Sequence, residues 1–207
     1  MSKYILSELF VELKSLIPTL VVDLKYSSED NFIGEPIEGY AANHAWLTPP
    51  AAEALLQVQK ALLLSGLGLK VFDAYRPQRA VSHFLRWAKS APVACQAEQY
   101  YPGLQPAELF SEGYLMARSS HSRGSTVDLT IVDMASGAEL DMGSPFDFFG
   151  RRSWIDCADI SAQARANRLL LRSMMEQHGF VPFHHEWWHF TLADEPYPET
   201  YFDIPIV

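Results

Sequence analysis

Apolar residues recur at helical spacing through Ala52, Leu55, Leu56, Leu62 and Leu63, which predicts an amphipathic helix. Thr48 followed by Pro49 and Pro50 supplies an N-cap with proline in the first turn, and Gly66 or Gly68 ends the run. From Leu69 to Tyr75 the pattern changes to that of a strand, which leads into Arg76-Pro77. A second helix is predicted over Gln78 to Lys89, with Val81, Phe84, Leu85 and Ala88 on one face. Residues 91–112, rich in Pro, Tyr and Gly, read as loop with a short helical turn. Val127 to Asp133 reads as a strand, and Ser136-Gly137 as the turn into Glu139-Leu140. Ser161 can cap a long helix reaching His178, with Gly179 in the C′ position. Phe180 to Leu192 is dense in aromatic and β-favouring residues and predicts a last strand or strand pair.

These elements do not alternate in strict βαβ order. That favours an α+β fold, a mostly antiparallel sheet with helices packed on it. Without an internal repeat, low-complexity tract or Gly/Ser/Pro linker, the economical reading is one compact domain over residues 1–207. Apolar residues at 48% and charged residues at 20% are ordinary for a chain that buries a real core.

The net charge of −9 argues against nucleic-acid or anionic-membrane partners, which need a basic surface to displace counterions. It leaves small substrates open, because the local field of a site can oppose the global charge. Glu8, Glu12 and Lys14 interrupt the N-terminal apolar residues, which is unlike a secretory signal, and no window is long and apolar enough for a membrane span. A cytoplasmic protein is therefore expected. The two cysteines, Cys95 and Cys157, lack the spacing of a structural zinc site and are expected to be free thiols.

Three segments carry candidate chemistry. In Ser119-Ser120-His121-Ser122-Arg123-Gly124-Ser125-Thr126-Val127-Asp128, His121 precedes a turn-prone stretch and Asp128 lies among Val127, Leu129 and Ile131. A buried carboxylate is costly unless a cation relieves it. Seven extended residues span on the order of 23 Å, so both side chains reach one ion only if the chain folds back, for which Gly124 is suited. Read alone, the segment also fits a surface loop and an edge-strand Asp.

In His184-His185-Glu186-Trp187-Trp188-His189-Phe190, imidazoles and a carboxylate again offer zinc ligands. Glu186 and His189 fall on opposite faces of a regular strand, and share a site only if Glu186 lies in a turn or bulge. Crowded histidines leave the third ligand unchosen by chemistry alone, since His184 and His185 compete with His189. An aromatic core strand with incidental polar residues is the alternative. Third, Arg76 sits where a strand meets a helix and could project a fixed guanidinium into a cleft, or simply pair with an acid at the surface.

Arg76-Pro77, Ser119-x-His121-x-x-Gly124-x-x-x-Asp128 and Glu186-x-x-His189 together resemble the signature of the zinc D,D-peptidases. Their order and separations are most similar to the D-alanyl-D-alanine dipeptidases of that family. The resemblance extends to Lys25-Tyr26, Asp30-Asn31-Phe32, Gly39-Tyr40, Met142-Gly143-Ser144-x-Phe146-Asp147-Phe148 and Asp194-Glu195-Pro196-Tyr197-Pro198, nearly the whole chain. Thr126 departs from it, since the family pattern usually has alanine there.

The resemblance implies the compact α+β peptidase fold shared at a distance with the signalling domain of hedgehog proteins. It implies one zinc per chain on His121, Asp128 and His189, Glu186 as the base that deprotonates water, and Arg76 on the oxyanion. It associates Asp147, with Ser119, Tyr26 and Tyr40, with a small substrate pocket. The implied reaction is hydrolysis of the D-Ala-D-Ala dipeptide. A D,D-carboxypeptidase or cell-wall peptide hydrolase is the rival within the same chemistry, and a zinc-binding domain without catalysis the rival outside it. Oligomeric state stays open.

Overall fold

The computed structural model describes residues 6–207; the start of the segment inspected above for a secretory signal, residues 1–5, lies outside them. The N-terminal quarter is irregular: α1 (Leu6–Leu9), β1 (Val11–Glu12), α2 (Leu13–Leu16), β2 (Val21–Val22) and β3 (Trp46–Leu47). Helix α3 (Pro49–Leu63) and strand β4 (Leu67–Asp73) follow, then helices α4 (Gln78–Trp87), α5 (Ala94–Tyr100) and α6 (Glu108–Ser111). Strand β5 (Thr126–Asp133), helix α7 (Ala162–Gln177), and strands β6 (Phe180–Phe183) and β7 (Glu186–Leu192) complete the order.

Five strands form the main sheet in the order β2-β4-β5-β7-β6, while β1 and β3 pair separately. Only β2–β4 is parallel within the main sheet; β4–β5, β5–β7 and β7–β6 are antiparallel. The α+β class and the mostly antiparallel sheet are therefore as expected. Helix α3 packs on β4, α7 on β6 and β7, and the two helices touch. Leu55, Val58 and Leu62 of α3 and Leu171 and Met175 of α7 are buried in the same core as Leu69, Val71, Leu129 and Ile131 of the sheet. Gln59 is buried with them because its Oε1 accepts the Leu69 amide at 2.7 Å, which satisfies a group that burial would otherwise penalise.

Several local expectations need adjustment. The strand expected at Leu69–Tyr75 runs from Leu67 to Asp73. Beyond it the chain leaves the sheet, with the Tyr75 amide on Trp46 O at 2.9 Å and the Arg76 amide on His121 O at 3.3 Å. Residues 91–112 hold two short helices rather than one turn, anchored by buried Tyr100, Tyr101 and Leu109. Thr48 stands at the N-cap of α3, but its hydroxyl meets Ser125 Oγ at 2.7 Å instead of capping; Pro50 at the second helical position has no N–H to offer it. Ser161 does cap α7, accepting the Ala164 amide at 3.0 Å, and Gly179 follows with φ of 87°. Cys95 and Cys157 are free. Among the described residues no helix is long and apolar enough to cross a membrane.

Candidate active site

The site begins as a row across three strands. Asp73 of β4 pairs with Asp128 of β5, and Asp128 pairs with His189 of β7. Residues directly opposite on neighbouring strands share a face, so the three side chains stand side by side. A register shift between Val71 and Asp73 makes this possible. In unbroken register Asp73 would oppose Val127 and turn away from Asp128, whereas one inserted residue re-aims it.

His121 arrives from outside the sheet. It lies in a 3-10 turn, Ser120–Arg123, that ends at Gly124 with φ of 84°. Gly124 is where the chain folds back, and an added Cβ there would stand 2.1 Å from Phe10 Cε1. Only glycine tolerates both the left-handed backbone and that approach. His121 Nδ1 donates to Ala74 O at 2.7 Å, so Nε2 carries the lone pair. That nitrogen is 3.2 Å from Asp128 Oδ2 and 3.3 Å from His189 Nδ1, and His189 Nδ1 is 3.1 Å from Asp128 Oδ1.

Three side chains thus converge at separations of 3.1–3.3 Å, Asp128 meeting His121 through Oδ2 and His189 through Oδ1. For zinc bonds of about 2.0–2.1 Å in tetrahedral array the ligand–ligand distance is roughly 3.3 Å, so the donor set, its number and its spacing all fit a zinc ion. No donor is directed at the buried Asp128 Oδ1, an acceptor that a cation held between the three side chains would satisfy. Neither His184 nor His185 reaches this point. They form the turn between β6 and β7, where His185 stacks on Trp154 at 4.5 Å and His184 lies 3.8 Å from Asp156.

Glu186 is the first residue of β7. The β6–β7 register breaks between Pro182 and Phe183, and this irregularity lets Glu186 and His189 serve one site despite their odd spacing. Glu186 Oε2 lies 3.5 Å from His189 Nδ1. Arg76 is buried, with Nε on Asp73 Oδ2 at 2.9 Å, Nη2 3.6 Å from Asp128 Oδ2, and its guanidinium 5.0 Å above the Tyr26 ring and 5.3 Å above the Phe84 ring. Asp147 is 4% exposed and takes the Tyr26 hydroxyl at 2.9 Å. Its φ of 57° makes it the one non-glycine residue in the left-handed region among those described, a strain on the order of 1–3 kcal/mol that the surroundings must hold.

Ser119 caps the 3-10 turn through the His121 amide at 3.3 Å and borders the same cavity. Tyr40 does not border it; its hydroxyl donates to Asp73 Oδ1 at 2.6 Å, behind Arg76. Asp73, fully buried and joining Tyr40, Arg76 and the row, escaped the sequence reading. Its signal was available in a carboxylate after Val71-Phe72 three residues before Arg76. Thr126, the departure from the family pattern, meets Thr191 Oγ1 at 2.9 Å across β5–β7.

The cavity, about 230 Å³, is bordered by Arg76, His121, Asp128, Asp147, Glu186 and His189 among others. It is smaller than the roughly 300–1,000 Å³ of pockets for drug-sized ligands. Three buried carboxyl groups border its floor, Asp128, Asp147 and Glu186, and a fourth, Asp73, lies behind the one buried guanidinium there, Arg76; Arg118 and Arg123 border the cavity from less buried positions. Burial, with Asp128 and Asp147 nearby, pushes the Glu186 carboxyl well above its ordinary range, and Arg76 only partly opposes this. Burial and Asp128 do the same to Asp147. Asp128 itself is held below the usual range, because His121 and His189 outweigh its burial.

The chain matches the family described as D-Ala-D-Ala dipeptidase, peptidase family M15, over residues 7–207. The D-alanyl-D-alanine dipeptidase of Enterococcus faecium is 42% identical over 95% of this chain and 98% of its own length. That of Streptomyces coelicolor is equally similar over the same shares, and that of Escherichia coli is 37% identical over 88% of this chain and 83% of its own. A vancomycin-resistance D,D-pentapeptidase solved with Zn(II) has a TM-score of 0.44 and 14% identity, covering 73% of this chain and 75% of its own. The chain belongs to the D-Ala-D-Ala dipeptidase family, M15.

Proposed function

We propose that this protein is a zinc-dependent dipeptidase that cleaves free D-alanyl-D-alanine into two molecules of D-alanine. The observation that carries the reading is the charge of the cavity floor: the buried carboxyl groups Asp128, Asp147 and Glu186 border it, Asp73 stands behind Arg76, the one buried guanidinium there, and three side chains converge as metal ligands. Such a floor is short of positive charge, and a dication together with the ammonium of a free dipeptide supplies it.

His121, Asp128 and His189 hold the zinc. When bound, the ion supplies Lewis-acid activation of water and of the scissile carbonyl. Glu186, 3.5 Å from His189, accepts the proton of the attacking water and passes it to the leaving amine. Arg76, locked by Asp73 and by the Tyr26 and Phe84 rings, faces the charge that develops on the carbonyl oxygen, a contribution of a few kcal/mol from preorganised donors. Asp147, with Tyr26, pairs with the substrate ammonium, and Ser119 contributes a hydroxyl at the cavity edge. No covalent nucleophile is needed.

Small volume and a buried carboxylate in the lining favour a dipeptide over a D,D-carboxypeptidase substrate, since an acylated nitrogen would leave Asp147 unpaired. A zinc domain without catalysis needs neither Glu186 nor Arg76 in the cavity. Two free cysteines fit a reducing compartment, and we place the reaction in the cytoplasm, a location that cell fractionation tests.

The test is hydrolysis of the four stereoisomeric dialanines and of a longer peptide ending in D-Ala-D-Ala, with and without zinc. Rapid zinc-dependent cleavage of the D,D isomer alone is expected. Glu186→Gln should retain zinc and lose about 10²–10⁴ in kcat. Full activity in that variant, or preference for the longer peptide, refutes the reading.

A further inference from the structure

Arg168, in the middle of α7, is 5% exposed and forms no ion pair among the described residues. A buried arginine without an acid is unusual, because the cost of desolvating a guanidinium is ordinarily met by a carboxylate. Here four of the five N–H groups of the fork go to neutral acceptors. Nε donates to Met142 O at 2.6 Å, Nη1 to Trp154 O at 2.9 Å, and Nη2 to Arg152 O at 2.7 Å and Ser144 Oγ at 3.3 Å. The cation also lies 5.8 Å from the Trp187 ring centroid on β7.

The acceptors are not scattered. Met142 and Ser144 open the loop that carries Asp147, and Arg152 and Trp154 close it, so one side chain ties both ends together. Ser144 extends the tie, meeting Ser153 Oγ at 2.9 Å and accepting Trp187 Nε1 at 3.0 Å, while Ser153 Oγ donates to Phe148 O at 2.6 Å. The preceding helical residue, Asn167, adds a bond to Asp141 O at 2.8 Å. At the apex stands Asp147 with its left-handed backbone. Such strain persists only where the frame around it leaves no alternative.

We infer that Arg168 is a positioning residue for substrate selectivity: by closing the base of the 142–154 loop on α7 and β7, it holds Asp147 where the ammonium of a free dipeptide must bind. The inference rests on the role proposed above for Asp147. Lysine cannot replace it, since a single ammonium cannot reach carbonyls at both loop ends in the geometry of the planar fork.

The test compares KM and kcat of the zinc-loaded protein on D-Ala-D-Ala and on N-acetyl-D-Ala-D-Ala for Arg168→Lys, Asp147→Ala and the double variant. Arg168→Lys should keep one zinc per chain, raise KM for the free dipeptide about tenfold and lower its preference over the acetylated form by a similar factor. In the double variant the effect should barely exceed that of Asp147→Ala, because both changes remove one interaction. Ser144→Ala, which keeps the guanidinium and loses the hydroxyl, should move KM in the same direction by about threefold, and it decides the matter if Arg168→Lys does not fold. Effects that multiply in the double variant, or a fall in kcat that tracks zinc loss at unchanged KM, overturn the inference alone. So does an unchanged KM in Ser144→Ala. If Asp147→Ala leaves KM and preference unaltered, the assignment of Asp147 falls, and the role of Arg168 with it.

Discussion

Replacing Asp73 by asparagine isolates the bond that fixes Arg76. Asp73 is wholly buried; its Oδ2 accepts Arg76 Nε at 2.9 Å and its Oδ1 accepts the Tyr40 hydroxyl at 2.6 Å. Asparagine has the same shape but no charge: its amide can donate to the Tyr40 hydroxyl while its oxygen takes Arg76 Nε, so the buried guanidinium keeps a neutral bond there and loses its carboxylate. The carboxylate left to Arg76 is Asp128, with Oδ2 3.6 Å from Nη2. Removing one partner of a buried ion pair costs about 3–5 kcal/mol. Burial already raises the Asp73 pKa, so part of that attraction is spent on keeping the carboxylate ionised, and the lower end, about 3 kcal/mol, is the value to expect. At roughly 2–4 °C per kcal/mol for a chain of this size, the zinc-loaded protein should lose about 6–12 °C in Tm. A guanidinium no longer held by a carboxylate at Nε should also lower kcat by about 10²-fold, with a smaller change in KM. Thermal denaturation and steady-state kinetics on D-Ala-D-Ala measure the two effects. A Tm within about 2 °C of the parent together with kcat within about threefold would refute the argument that Asp73 orients Arg76.

Further outcomes follow from the same geometry. Asp147→Ala should lose about 1.5–3 kcal/mol of transition-state binding to the free dipeptide, read as kcat/KM, while its bound zinc is unchanged by metal assay; equal loss of zinc would argue against an ammonium role. Burial lowers the His189 pKa from 6.5, with Asp128 opposing, so the neutral, metal-binding imidazole persists below that pH. Since protons must displace the ion, zinc release followed with a metal-sensitive dye should have its midpoint on the acid side of 6.5, and release at neutral pH would contradict this. Gly124→Ala must enter the left-handed region and displace Phe10. It should cost at least about 2 kcal/mol in denaturant unfolding and weaken zinc binding through His121; an unchanged unfolding midpoint would show that the turn relaxes freely.

Much of this protein was legible along the chain because the signals are local. The period of apolar residues marked α3 and α4, Ser161 and Gly179 marked the ends of α7, and dense aromatic and β-favouring residues marked the final strand pair. His121, Asp128, Glu186 and His189 were conspicuous because imidazoles and carboxylates among apolar neighbours need a reason to be there. Sequence alone could not choose among the three histidines of residues 184–189. Pairing chose: Asp128 lies opposite His189 across β5–β7, while His184 and His185 occupy the turn.

What only the tertiary structure decided depends on register and on contacts between distant residues. The bulge beside Phe72 turns Asp73 towards Asp128, and the broken β6–β7 register brings Glu186 to the side of His189. A one-residue slip reverses the face of every side chain, and nothing in composition announces where it occurs. Tyr40 behind Arg76, and Arg168 beneath the loop of Asp147, are partners separated by long stretches of chain. Local preference has no term for such pairs; they exist because a buried polar group must find its hydrogen bonds wherever the fold brings a partner within reach.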